Sequence, residues 1–387
     1  MNLEANLQSL LDRFKSERYR APAVRRSYVP KADGRKRPIG IPTFEDKILQ
    51  RAVLMVLEAV YEQDFLPCSF GFRPGRSPHQ ALQTLWEKAT RIAGGWILEV
   101  DVQRFFEGLD HSHLRNFLDQ RVRDGVLRRA IDRWLKAGVL ENGQWTRSTE
   151  GTPQGGVLSP VLANVYLHVV LDEWFEKEVL PRLGGQAFLV RYADDFVIVF
   201  THESDARRVM EVLPKRLGRF GLTVHPEKTR LVRFRRPSRP RDPSGRGSSR
   251  PRRNRPGTFD FLGFTHFWAW SGRGKWVIRR KTAKDRFRRA VRNVKLWIRR
   301  HRHDPIRDQQ RALSRKLHGH YAYYGITGNA DALIVFRRRV LQFWRKWLNR
   351  RSNRARVSWE RFAHLVERYP LPNAVVVHSV YRRTVSP

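Results

Sequence analysis

Residues 188–200 read FLVRYADDFVIVF. Apolar runs lie directly on both sides of Asp194 and Asp195, which predicts two short strands joined as a hairpin with an acidic tip. Such a tip is costly, because adjacent like charges repel and burial disfavours both ionised forms. An isolated Asp-Asp dipeptide is most simply a solvated turn. Strands pressed against both of its ends point instead to a chemical role. A divalent cation would relieve the repulsion, and magnesium favours hard oxygen ligands that it shares with substrate phosphates.

A third carboxylate lies upstream. Residues 96–102, WILEVDV, read as a strand that ends on Asp101 and could lie beside the hairpin in one sheet. Three carboxylates on two neighbouring strands suit two metal ions about 3.5–4 Å apart, the arrangement that activates an attacking hydroxyl and supports the leaving oxygen in phosphoryl transfer. Between these strands, GTPQGGVLSPVLANVYLHVVLDEWF (151–175) reads as a Gly/Pro loop running into a long helix. Nearer the N-terminus, KADGRKRPIGIPT (31–43) is punctuated by Gly and Pro. After Pro42, a helical stripe is formed by Asp46, Ile48, Leu49, Ala52, Val53 and Leu57.

Composition sets the class of partner. The 387 residues hold 76 Lys and Arg against 37 Asp and Glu, a net charge of +39, with 41% hydrophobic residues. The chain can therefore build a core, and its charge calls for a polyanion. Nucleic acid leads. A membrane surface is the competitor, but no lipidation signal or discrete amphipathic anchor is present. No apolar run reaches the roughly 18–20 residues of a transmembrane helix. The first twenty residues read as a short amphipathic helix and lack a signal-peptide layout. Cys68 is the single cysteine, so no internal disulfide and no cysteine-based zinc site is expected, in keeping with a cytoplasmic, reducing setting. Residues 236–257, rich in Arg, Pro, Gly and Ser, read as a flexible basic loop. From about residue 280 the pattern is helical and basic. Leu333, Phe336, Val340, Leu341, Trp344 and Leu348 form one stripe, with Arg337, Arg338, Arg339, Arg345 and Lys346 opposite.

These segments, in this order, resemble the blocks of group II intron-encoded reverse transcriptase/maturases. YADD resembles the catalytic box, and ILEVDVQRFFEGLDH (97–111) the block bearing the first aspartate. RSYVPKADGRKRPIGIPTFEDKILQRAV (26–53) and CSFGFRPGRSPHQAL (68–82) resemble the fingers blocks. GTPQGGVLSPVLANVYL (151–167), GLTVHPEKTR (221–230) and FDFLGF (259–264) resemble the remaining palm blocks. GHYAYYGITGN (319–329), FWRKWLNRRS (343–352) and LPNAVVVHS (371–379) resemble the thumb, or maturase, domain. The resemblance runs from about residue 20 to 380. It implies an α/β right-hand polymerase with an antiparallel palm sheet and an all-helical C-terminal thumb/maturase domain. The expected divisions are 1–90 (N-terminal segment and fingers), 91–279 (fingers/palm core) and 280–387 (thumb/maturase).

By the same resemblance, Asp101, Asp194 and Asp195 hold two Mg²⁺ ions, which Mn²⁺ could replace. Phe106, five residues after Asp101, lies under the deoxyribose and excludes a ribose 2′-hydroxyl; the alternative is that Phe105 and Phe106 both pack the core. Lys31 and Arg37 hold the incoming triphosphate through charge-assisted hydrogen bonds. Gln154 lies against the nucleotide, and Gly155 and Gly156 let the backbone come close. Lys228 places the triphosphate or primer, Arg73 touches template and Tyr192 packs beneath the primer end. Tyr321, Tyr323 and Tyr324 read as packing residues rather than base-stacking ones. The implied activity is dNTP addition to a DNA primer on an RNA template, with group II intron RNA as a further partner. His225 stands where the family usually has Asn. Relatives usually carry further sequence ahead of the segment that begins here near Leu3, and many add a Cys-rich HNH endonuclease, which one cysteine does not support. The rivals are a splicing maturase that does not polymerise and a reverse transcriptase adopted for phage defence or CRISPR adaptation.

Overall fold

A computed structural model describes residues 2–30, 36–141, 144–146, 151, 155–238, 256–352 and 356–379. The chain divides into two compact units, Met1–Arg233 and Phe234–Pro387.

In the first unit, a helix apolar on every side marks the centre. Helix α6 (Ser159–Leu167) is buried at Val161 through Leu167, as expected where no polar face is available to meet water. It continues through wide π-helical turns, His168–Glu173 and Phe175–Val179. The unit's other helices are α1 (Leu3–Lys15), α2 (Phe44–Tyr61), α3 (Pro78–Arg91), α4 (His111–Asp119), α5 (Gly125–Lys136) and α7 (Glu203–Gly218), of which α2 and α4 pack on α6. Two sheets complete the unit. One is built from β3 (Trp96–Gln103), β6 (Ala187–Tyr192), β7 (Asp195–Phe200), β8 (Thr223–Val224) and β9 (Arg230–Arg233), in the order β6-β7-β3-β8, with β9 also paired to β3. All of its pairings are antiparallel. The other has the order β2-β1-β4-β5, from β1 (Val24–Pro30), β2 (Lys36–Ile41), β4 (Val139–Glu141) and β5 (Gln144–Thr146).

The acidic hairpin and the strand at 96–102 stand where the sequence put them. The stripe on α2 is rotated: Gln50 and Leu54 are buried, whereas Ala52 is exposed. Asp46 explains part of this. Its buried carboxylate accepts from the hydroxyls of Tyr19 and, at 2.8 Å, Thr43, so a polar anchor fixes the helix's start.

The second unit begins with an antiparallel meander of β10 (Phe259–Phe261), β11 (Phe264–Trp270) and β12 (Trp276–Thr282). Helices α8 (Lys284–Arg300), α9 (Ile306–Tyr324), α10 (Ala330–Leu348) and α11 (Trp359–Arg368) follow. Leu333, Phe336, Val340, Trp344 and Leu348 are buried on the expected stripe, and Leu341 is half-buried beside them. Tyr321 is buried and Tyr323 donates to Leu262 O at 2.9 Å, so both act in packing. The compact units part at Arg233, and within the second the meander is tied to the helices. Asn329 accepts from Thr282 N at 2.8 Å and donates to Thr282 Oγ1 at 2.9 Å, and Phe264 stacks on Tyr323. Most of the expected basic loop, 239–255, lies outside the described residues.

The charge divides unevenly between the units. Residues 234–387 carry forty Lys and Arg against eight Asp and Glu, whereas residues 1–233 carry thirty-six against twenty-nine. The excess is therefore concentrated in the second unit.

His266 on β11 is buried, stacked on Phe259 at 4.6 Å and opposite Arg280 in register. Neither ring nitrogen has a partner among the described residues. Burial, reinforced by Arg280, pushes its pKa down from 6.5 to about 3. The folded imidazole thus stays neutral while the unfolded one takes up a proton, so this contribution is intact above pH 6.5 and is lost as pH falls below it. The urea midpoint should drop between about pH 7.5 and about pH 5, and His266→Phe should flatten that slope. An unchanged slope in the variant would remove His266 as the cause.

Candidate active site

The site is built at one end of the β3–β7 pair. Asp101 stands directly opposite Asp195, and Tyr192 opposite Asp195 across the hairpin. Ala193 and Asp194 form the turn between them. Ala193 has φ 57°, a left-handed conformation that costs a side-chain-bearing residue about 1–2 kcal/mol. That strain is held in place from two sides.

The first restraint is the segment 68–71. Arg191 N donates to Cys68 O at 2.8 Å and Phe70 N to Arg191 O at 2.9 Å, which lays this segment along β6. Gly71 then meets the turn so closely that a Cβ would lie 2.3 Å from Ala193 N. The second restraint is the Arg191 side chain, fully buried with Asp172. Its guanidinium donates to both Asp172 oxygens (2.8 and 2.5 Å), to Asn164 Oδ1 (2.9 Å), to Ser69 Oγ (2.7 Å) and to Ala193 O (3.2 Å). Asn164 completes the set by donating to Gly71 O at 2.7 Å. Sequence reading missed this network. Its signal is an Arg inside an otherwise apolar strand, a position tolerated only with a buried acid as partner.

On the other side of β3, the pairing slips by three residues between Val102↔Val224 and Glu99↔Arg230. The extra length, in HPEKT (225–229), forms a bulge opposite Asp101. His225 N donates to Asp101 O at 2.7 Å. Lys228 Nζ then reaches Asp101 Oδ2 at 2.5 Å, with both side chains partly exposed. Asp194 is half-buried. Burial, and with it the Asp101 carboxylate, push its carboxyl above the usual range, while Arg37 and Arg191 draw it back.

Could these residues hold a metal? Among the described residues, no three His, Cys, Asp or Glu side chains converge closely enough to cage an ion as they stand. The donor set nonetheless fits one. It offers hard oxygens from opposed strands, mutually repelling, with an ammonium group already drawn to Asp101.

The other expected residues fall into three groups. Arg37 on β2 acts electrostatically on Asp194. Phe105 is buried and Phe106 half-buried, edge-on at 5.2 Å, so only the first belongs fully to the core. Gly151 lies close against their turn, and Gly155 close against β2. A Cβ on Gly151 would lie 2.7 Å from Phe106 O, and one on Gly155 2.6 Å from Ile39 Cγ2. Tyr192 is half-buried beside the exposed Phe72, ring centres 6.3 Å apart. Lys31 and Gln154 lie outside the described residues. Arg73 has a different task from the template contact expected of it. Its side chain is buried, paired with Glu62 and donating to Leu66 O and Ser69 O at 2.9 Å each. Its hydrogen bonds fold the 62–73 segment rather than facing a ligand.

With this geometry in view, likeness to known proteins can be read. The family described as reverse transcriptase (RNA-dependent DNA polymerase) matches residues 29–266. The chain is 43% identical over 168 residues to the group II intron-encoded protein LtrA of Lactococcus lactis subsp. cremoris, covering 43% of this chain and 27% of that one. It is 35% identical over 225 residues to protein YkfC of Escherichia coli K12, covering 51% and 59%. The chain thus spans less than two thirds of these relatives. Among solved structures, telomerase from Candida albicans in complex with a fragment of telomeric RNA is similar in fold, with a TM-score of 0.50 and 13% identity, over 91% of this chain and 63% of that one. The mixed α/β architecture with antiparallel sheets is the one the sequence led to expect.

Removing one partner of a buried ion pair typically costs about 3–5 kcal/mol, whereas replacing both by apolar groups is far milder. Arg191→Met should therefore lower the unfolding free energy by about that amount, and the double variant Arg191→Met/Asp172→Leu should recover most of it. Urea denaturation of the three proteins tests this. Equal losses in the single and double variants would refute the role given to the pair.

Proposed function

This chain belongs to the reverse transcriptase family, and from that premise we propose that it adds deoxynucleotides to the 3′-hydroxyl of a DNA primer paired to an RNA template. The observation that carries the proposal is the in-register opposition of Asp101 and Asp195, with Asp194 at the adjoining turn. We assign fingers to residues 1–90, fingers and palm to 91–279 and thumb or maturase to 280–387.

Two Mg²⁺ ions bound by Asp101, Asp194 and Asp195 would lower the pKa of the primer hydroxyl and neutralise charge on the departing pyrophosphate. Lys228 would give up Asp101 as metal binds and turn its ammonium to a phosphate oxygen. Arg37, with Lys31, would hold the triphosphate in line, where positioning supplies much of the rate. Phe106, only partly committed to the core, would leave no room for a 2′-hydroxyl, and Gln154 would rest against the nucleotide. Tyr192, with Phe72 beside it, would support the primer end.

Group II intron RNA is the further partner of this reading. Support comes from the similarity to a group II intron-encoded protein and from the forty basic residues after Arg233, which suit a phosphate backbone. No helix among the described residues is long and apolar enough to cross a membrane, and we place the protein with RNA in the cytoplasm.

The test is dNTP incorporation on an RNA template with an annealed DNA primer. The parent should extend the primer in Mg²⁺, and Asp194→Asn should lose about a thousandfold or more in rate, some 4 kcal/mol of barrier. Failure of both proteins to extend, with binding to structured RNA retained, would leave a splicing maturase as the function. In the same assay Phe106→Ala should reduce discrimination against ribonucleotides by roughly ten- to a hundredfold. Unaltered sugar selection would reassign Phe106 to packing.

A further inference from the structure

Residues 1–233 are close to balanced in charge, thirty-six basic against twenty-nine acidic. Unpaired cations gathered at one place in this unit therefore stand out more than they would in the second. One such gathering surrounds a tryptophan. Trp145 on the short edge strand β5 is 57% exposed, unusual for the largest apolar side chain. Its indole Nε1 donates to Ala137 O at 3.2 Å, which pins one edge of the ring while most of the side chain meets solvent.

Trp145 borders an open hollow of about 570 Å³ that Arg20, Arg129, Asp132, Arg133 and Lys136 also line. That volume falls within the range of about 300–1,000 Å³ typical of small-ligand sites. The charges do not cancel. Arg129 is paired with Glu17 at 2.5 Å, and Asp132 is neutralised by Arg115 at 2.7 Å. Arg20, Arg133 and Lys136 have no carboxylate partner among the described residues; Arg133 donates only to the Tyr19 carbonyl, at 2.9 Å. An exposed flat ring with three uncompensated cations offers a face for a base and donors for the phosphates beside it.

We propose that Trp145, with Arg20, Arg133 and Lys136, binds an unpaired nucleotide of single-stranded RNA. The base stacks on the indole and the flanking phosphates meet the cations. Nothing in the roles given to Asp101, Asp194 and Asp195 uses this hollow. The identity of the nucleic acid as RNA rests on the proposed function; the stacking site itself rests on the ring and its charges.

The full-length protein is tested for binding to a short unstructured oligouridine carrying thiouridine, followed by photocrosslinking and peptide mapping. The parent should crosslink through the peptide containing Trp145. Trp145→Ala should weaken binding to this oligonucleotide about tenfold, in the range expected for one stacked base. Trp145→Tyr should keep most of the affinity, because it keeps a ring. Lys136→Glu, on an exposed side chain, should weaken binding and reduce its salt dependence. Binding to blunt duplex RNA, the thermal midpoint and extension of a minimal primer–template should stay at parental levels in the Trp145 variants. Crosslinking at Trp145 in a protein that does not polymerise would uphold the site while the polymerase reading fails. Polymerisation with no crosslink at Trp145 and an unweakened Trp145→Ala would overturn the site alone. Equal losses on single-stranded and duplex RNA would also overturn it, since backbone charge without stacking would then explain the binding.

Discussion

Arg191 and Asp172 are both without solvent contact, and the rest of the site depends on their pairing. Desolvating two charges costs several kcal/mol each, and the mutual attraction recovers this only if the remaining hydrogen-bonding groups are also satisfied. Here they are, by Asn164, Ser69 and the Ala193 carbonyl. Those partners come from the central helix, the segment before α3 and the hairpin turn. One guanidinium therefore ties three parts of the unit to the turn that carries Asp194. An apolar sheet packed on an apolar helix can slide at modest cost. This one cannot, because any slide leaves an unpaired buried charge. The strained Ala193 persists for the same reason: its carbonyl is a ligand of that guanidinium, and Gly71 closes the space into which the turn would relax.

The carboxylates in front of this anchor have the opposite character. Strand register sets Asp101 opposite Asp195, and the adjoining turn carries Asp194. The compensation comes from cations on separate segments, Lys228 on the bulge and Arg37 on β2. The bulge has a physical rationale: without three extra residues opposite Asp101, the β8–β9 connection would have no length to reach forward. Both cations are on partly or fully exposed side chains, so they can exchange their partner for phosphate at little cost. A rigid buried ion pair behind and replaceable exposed cations in front are what a site needs if it must bind and release a charged substrate each cycle.

What could be read from the sequence follows the same division. WILEVDV and FLVRYADDFVIVF announced their strands because each is long enough for an apolar run to be informative. The C-terminal helices were legible from the stripe at Leu333, Phe336, Val340, Trp344 and Leu348. Three-residue strands such as Val139–Glu141 and Gln144–Thr146 carry no periodicity, so the second sheet and its parallel β1–β4 pairing were invisible. The switch from strand to helix pattern near residue 280 does not say which partner a meander packs on, so the ties of Thr282 to Asn329 and of Phe264 to Tyr323 could not be read. Arg73 and Arg191 show the harder problem. Both sit in a basic chain beside motifs for nucleic-acid chemistry, and a solvent-facing arginine looks the same in sequence as one folded inward. Only the partners, Glu62 and Asp172, separated by 11 and 19 residues, reveal that both are structural.

The uneven charge gives the two units different electrostatic roles. In residues 1–233 acids nearly match bases, and many pairs are local, such as Arg115–Asp132, Arg121–Asp64 and Arg128–Asp119. Such pairs add little stability individually, but they cancel the field that a polyanion would otherwise sense over that surface. The second unit has five basic residues for each acidic one, and its helices bury one stripe while leaving Arg and Lys outside. On the proposed function, attachment to a nucleic-acid backbone, with its steep dependence on salt, would belong chiefly to residues after 233. On the same reading, the first unit would be left with contacts that discriminate rather than merely attract. A catalytic surface benefits from that separation. On the proposed function, attraction spread evenly would let a phosphate backbone occupy Lys228 and Arg37 before a triphosphate arrived.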